Sequence, residues 1–150
     1  SVIQAVPRVV VLNCPLPYIK VLSGTTVDFT WKFRVFEEKM IKAISWYYSV
    51  SDDNWTDSEK LVQKTFKVNH SNEVSGNPLL KPDKRNRTNC TFDHQDQIFT
   101  MNCRLTNAKA YDSVSYGMKV KFRAGTTIVI TNTSTLKVVG KLRNFERCSK

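Results

Sequence analysis

Four cysteines, Cys14, Cys90, Cys103 and Cys148, and five N-x-[ST] sequons, at Asn54, Asn69, Asn86, Asn89 and Asn132, are the residues of this 150-residue chain whose types and spacing point to chemistry. None of the cysteines forms a C-x-x-C pair, and His70 and His94 do not stand at zinc-finger intervals from them, so the thiols read as disulfide partners and no metal site is expected. Four cysteines allow three complete pairings. One sequon carries little weight, but five of them alongside four cysteines indicate an exported glycoprotein.

Catalytic patterns are missing where they would be looked for. There is no G-x-S-x-G, no glycine-rich phosphate loop and no H-E-x-x-H. The two histidines sit in polar stretches, "NHS" and "DHQ", without a nucleophile and an orienting acid at a recognisable spacing. Asp52 with Asp53 and Glu37 with Glu38 are neighbours in sequence, which does not make an acid/base pair across a substrate. Neither enzymatic activity nor a cofactor is expected.

The formal net charge of +10 makes anionic partners conceivable, yet the lysines and arginines are scattered, with "KPDKRNR" as the one local cluster and no nucleic-acid motif beside it. A solvated basic surface is the expectation, and nucleic acid is not an expected partner. The longest aliphatic runs, "VVVL" at 9–12 and "IVI" at 128–130, fall far short of the roughly 20 residues that span a bilayer. Any membrane anchor, and any signal peptide, is therefore expected outside these residues.

The elements that must position these side chains are strands. In "GTTVDFTWKF", Val27, Phe29, Trp31 and Phe33 alternate with Asp28, Thr30 and Lys32, the pattern of a half-buried strand. Similar alternation covers 8–12, 45–50, 98–105, 116–122 and 136–138, and "RAGT" reads as a hairpin turn using Gly125. Short strands separated by turn signals indicate an all-β sandwich. In "FEEKMIKAI", Phe36, Met40, Ile41 and Ile44 recur at helical spacing, so a short helical segment is expected within 36–44. The stretch 51–87 reads as short edge strands and exposed loops.

The residues "TTVDFTW", "AISWYYS" and "YDSVSYGMKV" resemble the marker positions of a V-type immunoglobulin domain over roughly 6–139. In that family the second strand carries a cysteine, the third a buried tryptophan, and the sixth begins D-x-A-x-Y-x-C. Here Trp31 stands at the first cysteine position, Trp46 at the tryptophan, and Asp112, Val114 and Tyr116 precede Met118 at the second cysteine position. The resemblance implies an immunoglobulin-like V-type β-sandwich over 1–140, with 141–150 as a tail or linker towards a following domain. It implies that Trp31, Trp46 and Met118 pack where the inter-sheet disulfide would lie, an aromatic and a thioether filling its volume. Tyr116 matches the family's corner tyrosine, and Asp112 the acid that pairs with an arginine, for which Arg87 is the candidate. With Cys103 pointing inward and a turn near Asp96, Cys90 and Cys103 are expected to pair. Cys14 with Cys148 would staple the first strand to the tail, unless Cys148 belongs to a domain junction.

V-type domains usually bind through the outer side of the sheet that holds their third, sixth and seventh strands. By alternation Ser45, Tyr47, Gly117, Lys119 and Lys121 should lie on that face, with Tyr47 as an aromatic anchor. A V-like domain that lacks both usual cysteines is similar to the membrane-distal domains of cnidarian allorecognition receptors. That likeness implies an extracellular cell-surface recognition or adhesion domain binding another copy of itself on an opposing cell. A heterophilic immune receptor, or a viral glycoprotein that binds a host protein, is the first alternative. A sialic-acid or anionic-glycan lectin is the second. The stretch "NCRLTNAKAYDSVSYGMKV" is similar to the sialic-acid-binding lectins of the same superfamily, but Lys119 stands where they carry an arginine, and lysine cannot make its planar two-point contact with a carboxylate.

Overall fold

The computed structural model describes residues 8–49, 59–66, 73–77 and 80–140. Ten strands lie among them: β1 (Val9–Asn13), β2 (Tyr18–Leu22), β3 (Val27–Val35), β4 (Ile41–Ser49), β5 (Lys60–Thr65), β6 (Glu73–Gly76), β7 (Thr88–Gln95), β8 (Ile98–Leu105), β9 (Ser115–Phe122) and β10 (Thr127–Val139). One short helix, α1 (Pro82–Arg87), precedes β7. The strands form two sheets in the orders β1-β3-β8-β7 and β2-β10-β9-β4-β5-β6. This is the variable-type immunoglobulin arrangement, in which two extra strands extend the second sheet beyond its central three.

The first strand is split between the sheets. β1 pairs antiparallel with β3, and β2 pairs parallel with β10. Between them lies "CPLP", where Pro15 and Pro17 lack the N–H groups a continuous ladder needs. The crossing is tied to β10 instead: Ser134 Oγ donates to the Leu16 carbonyl at 2.6 Å, and Thr135 N donates to that of Pro17 at 2.8 Å. At the β9–β10 hairpin Gly125 takes φ +91°, a conformation that favours glycine, and at the β7–β8 hairpin Asp96 takes φ 54°.

Alternation carries through β3, whose residues at 27, 29, 31, 33 and 35 are buried while 28 and 32 are exposed. Between the sheets Phe29, Trp31, Trp46, Tyr116 and Phe122 are all fully buried. Phe29 is the hub, with ring centroids 6.1 Å from Trp31, 5.8 Å from Trp46 and 4.8 Å from Tyr116. Trp31 and Trp46 each have a methionine as cross-strand neighbour. Trp31 stands opposite Met101 in one sheet, and Trp46 opposite Met118 in the other; both methionines are buried. The Trp31 indole N–H donates to the Asn132 carbonyl at 2.9 Å, where the β9–β10 register shifts between Ile130 and Ser134.

The structure narrows one sequence expectation and corrects another. The helical spacing within 36–44 becomes a single 3₁₀ turn, Glu38–Met40, and then strand β4 from Ile41. Ile41 and Ile44 are buried from the sheet while Met40 is exposed, so no helix face holds the four apolar residues together. Pairing with β9 on one side and β5 on the other overrides a local preference that amounts to tenths of a kcal/mol per residue. In the stretch 51–87, β5 and β6 are short strands as expected, but of the two only β6 is at the sheet edge, since β5 is paired with β4 and β6, and 82–87 is helical, with Pro82 in its first turn. Residues 141–150, read as a tail or linker, lie outside the described residues.

Replacing Met118 by Ala removes a buried thioether beside Trp46 and should cost about 2–5 kcal/mol. Urea unfolding should show a lowered midpoint with an unchanged slope. A loss well under 1 kcal/mol would mean that Met118 is not a packing residue of the core.

Candidate functional site

Register places the outer side of the six-stranded sheet along rows of directly opposed residues. Ser45 lies opposite Lys119 on one side and Gln63 on the other; Tyr47 lies opposite Gly117 and Lys60. Ala43 lies opposite Lys121 and Thr65, and at the far edge Tyr18, Lys20 and Leu22 run alongside Thr135, Lys137 and Val139. Register sets these residues in the outward rows that alternation implies, but not all of them are accessible. Ser45 and Tyr47 are each only 5% exposed, and Gly117 is buried too, whereas Lys119 is half-buried and Lys121 exposed.

Neighbouring polar side chains cover Tyr47. The Lys119 ammonium stands 4.4 Å above its ring, a cation–π arrangement. Beside it Lys60 Nζ donates to Gln63 Oε1 at 2.9 Å, Ser45 Oγ reaches the same oxygen at 3.4 Å, and Gln63 Nε2 donates to Thr65 Oγ1 at 3.1 Å. Alternation fixes which face a side chain is on; it does not reveal what lies over it. The exposed aromatic of this face is Tyr18 on β2, 58% exposed with Leu22 near it at 51%, and the sequence analysis did not single out either residue. The signal was present, since Tyr18, Lys20 and Leu22 alternate with Ile19 and Val21, but the run is short and bracketed by Pro17 and Gly24.

At one end of the sandwich Asp112 is fully buried and receives two cations. Arg87 grips it two-pronged, Nη1 donating to Oδ2 at 2.7 Å and Nη2 to Oδ1 at 3.1 Å. Lys84 Nζ donates to Oδ1 at 2.7 Å and to the Tyr116 hydroxyl at 2.9 Å, while Lys109 N donates to Oδ2 at 2.8 Å. The Tyr116 hydroxyl in turn donates to the Asp112 carbonyl at 2.9 Å, the tyrosine-corner bond. Burial pushes the Asp112 carboxyl up, but Arg87, Lys84 and the Lys109 amide outweigh it and hold the group below its ordinary value. Burial also draws Lys84 down and raises the Tyr116 phenol. Sequence reasoning named Asp112, Tyr116 and Arg87 but missed Lys84. Lys84 and Arg87 are three apart on α1 and so share a face, a relation visible only once the helix is known.

Cys90 and Cys103 form a disulfide as directly opposed residues of β7 and β8, with Cα atoms 4.0 Å apart. Cys14 is half-buried and carries no disulfide among the described residues; its expected partner Cys148 lies outside them. Of the sequon asparagines, Asn86, Asn89 and Asn132 are exposed, while Asn54 and Asn69 lie outside the described residues, as does His70. His94 belongs to the end of β7 and not to a loop, its ring stacked on Phe99 at 4.1 Å and its Nε2 3.1 Å from Glu38. Among the described residues no group of three or more His, Cys, Asp or Glu side chains is placed to hold a metal ion, and no helix is long and apolar enough to cross a membrane.

No protein-family model and no curated protein matches the chain. Among solved structures it is similar to one from a study of multimeric cell-adhesive interactions of VGSC beta subunits, at 17% sequence identity and a TM-score of 0.55, covering 81% of this chain and 90% of that one. At that identity the likeness speaks for the fold, an immunoglobulin-like β-sandwich.

Because the folded carboxyl of Asp112 lies below its unfolded value, its contribution is complete above the unfolded pKa, near 3.9, and is lost as pH falls through the folded one. Asp112→Asn takes the anion from Lys84 and leaves Arg87 only the exposed Asp83, so up to about 3–5 kcal/mol of stability should go at pH 7. The gap from the wild type should narrow below about pH 4. Denaturant titrations of both proteins from pH 7 to pH 3 measure it; equal stability at pH 7 would mean that the two cations are solvated after all.

Proposed function

We propose that this chain is a cell-surface recognition domain that binds a protein through the outer side of its six-stranded sheet, and that its partner is a different, acidic protein. The carrying observation is the charge of that side. Lys20, Lys60, Lys119, Lys121 and Lys137 all occupy outward register positions, against a single acidic residue there among the described ones, Glu73 opposite Thr65 on the outermost strand. Two copies meeting face to face would bring these lysines together, and like charges juxtaposed at an interface cost several kcal/mol. Homophilic binding in trans, which the sequence resemblance implies, needs its charge away from the contact or matched by local acids. Among acids near this face in sequence, Asp52, Asp53 and Asp57 lie outside the described residues, Glu59, just before β5, acts on the Tyr48 phenol, and Glu73 alone cannot balance five lysines. An acidic partner meets no such cost and gains a faster, salt-dependent encounter.

Several features support an extracellular place for this role: the five sequons, the Cys90–Cys103 disulfide, and a fold that elsewhere takes part in cell-adhesive interactions. An anionic glycan would satisfy the same charge, but Lys119 already lies over Tyr47 and offers only a single ammonium, not a planar fork. A protein surface with carboxylates spread over several rows fits the five separated lysines better.

Beads coated with the domain distinguish these cases. They should not clump with one another, but should bind cells that display the partner. That binding should fall several-fold between 50 and 200 mM salt and be abolished by Lys119→Glu with Lys121→Glu. Clumping of the beads alone, unmoved by the double substitution, would restore homophilic binding and remove the basic face from it; binding lost after the cells are stripped of sialic acid would assign the partner to glycan.

A further inference from the structure

Asn89, Cys90 and Thr91 form a sequon whose middle residue is one half of the disulfide. All three are laddered to β8, Asn89 opposite Arg104, Cys90 opposite Cys103 and Thr91 opposite Asn102. Cα atoms only 4.0 Å apart mark Cys90–Cys103 as a non-hydrogen-bonded pair of the antiparallel ladder. By the alternation of such ladders, the two ends of the sequon then fall at hydrogen-bonded positions. The free Cys90 N–H is taken up locally, donating to Asn89 Oδ1 at 2.9 Å, so the acceptor side chain is itself held against the strand.

We propose that glycan transfer to Asn89 and closure of the Cys90–Cys103 bond are competing events, so that a chain in which the disulfide closes first leaves Asn89 bare. This rests on the extracellular reading, because both reactions belong to the secretory route. In the transfer, Asn89 Nδ2 bonds to the anomeric carbon of a polyprenyl-diphosphate-linked oligosaccharide. The polyprenyl diphosphate leaves with the electron pair of the broken C–O bond, and the amide proton passes to the enzyme's base. In the closure, two thiols give up two protons and two electrons to an oxidised dithiol oxidoreductase, which is reduced. The transferase must hold the asparagine amide and the Thr91 hydroxyl together in a mobile acceptor. Both lie on the same exposed face of β7, but as residues i and i+2 of a strand they stand roughly 7 Å apart, and the disulfide keeps that strand in place. A hairpin of thirteen residues' separation closes in microseconds, so once its thiols have been oxidised the mobile form is scarce.

The other described sequons lack this coupling. Asn86 lies on α1 and is followed by Arg87 and Thr88, and Asn132 lies in the irregular part of β10 and is followed by Thr133 and Ser134; neither encloses a cysteine. They serve as internal controls in the same molecule.

The test expresses the whole chain behind a signal peptide in animal cells and reads occupancy at each sequon by glycopeptide mass spectrometry on total cell material, so that a variant that fails to fold is still measured. Wild type should show Asn89 occupied in a minority of chains. Cys103→Ser, which leaves the Asn-Cys-Thr sequence intact, should raise that occupancy at least twofold without moving Asn132, and a pulse of dithiothreitol during synthesis should do the same to wild type. Asn86→Gln removes the neighbouring acceptor, and a rise at Asn89 in that variant alone would place the limit in crowding between adjacent glycans and overturn the proposal. Full occupancy in wild type, or occupancy unmoved by Cys103→Ser, would also overturn it. Bare asparagines at all three positions, Asn132 included, would instead count against the extracellular reading itself.

Discussion

The structure depends on filling the space between two sheets without the covalent bond that usually crosses it. Trp31 of β3 and Met118 of β9, which the sequence resemblance puts at the two cysteine positions, are both buried. The compensation is larger than a one-for-one exchange. Trp31 and Trp46 are each matched with a methionine in their own sheet, and Phe29 stands between them in ring contact with Trp31, Trp46 and Tyr116. A buried aromatic hides about 150–250 Å², worth roughly 4–6 kcal/mol as an upper bound at about 25 cal/mol per Å², against about 2–4 kcal/mol for a disulfide. Apolar burial is therefore enough to hold the sheets together.

Dispensing with the inter-sheet bond leaves the cysteines to act elsewhere. Cys90–Cys103 lies within one sheet and staples β7 to β8; both residues are buried in the core, but the bond makes no covalent link between layers. What fastens β9 to the end of the sandwich is polar: the carboxylate of Asp112 gathers Arg87 from the end of α1, Lys84 from the same helix and the Lys109 amide. A buried ion pair is weak evidence of net stability, since desolvation offsets much of the Coulomb gain. Its stronger effect is on position. Asp112 fixes where α1 sits, and Lys84 ties that helix to the Tyr116 corner.

The parts of this that were legible in the sequence were those decided by period-two alternation. β3, β8 and β9 are read from Val27, Phe29, Trp31 and Phe33, from Met101, Cys103 and Leu105, and from Tyr116, Met118 and Val120, because each has one face in the core and one outside. β2 was missed because its five residues hold only two half-buried side chains between a proline and a glycine. At 36–44 the apolar spacing suited a helix; a 3₁₀ turn forms at Glu38–Met40, and the pairing of β4 on both sides makes the rest a strand. α1 has six residues, too few for a 3.6-residue period to be visible, and it is fixed through its contact with Asp112. For the binding face, alternation gave the side of the sheet but not the cover that Lys119, Gln63 and Lys60 lay over Tyr47 and Ser45.

That cover changes what the face can recognise. A tyrosine standing free on a flat sheet is an anchor that fits many partners, itself included, whereas a tyrosine beneath an ammonium contributes chiefly by holding the charge in place. Specificity then passes to the spacing of the lysines, which the strand ladder sets at the interval between neighbouring chains, about 4.8 Å, and between alternate residues, about 7 Å. The other sheet is built differently. Its outer rows pair Asp28 with Arg104 and Thr30 with Asn102, balancing charge with charge and hydroxyl with amide, and it carries the Asn89 sequon. Charges nearly balanced on one sheet, where Asp28 meets Arg104 and Asp93 shares a row with Lys32, leave little field to steer a partner, whereas the lysines proposed above as the binding surface outnumber the acids of their face.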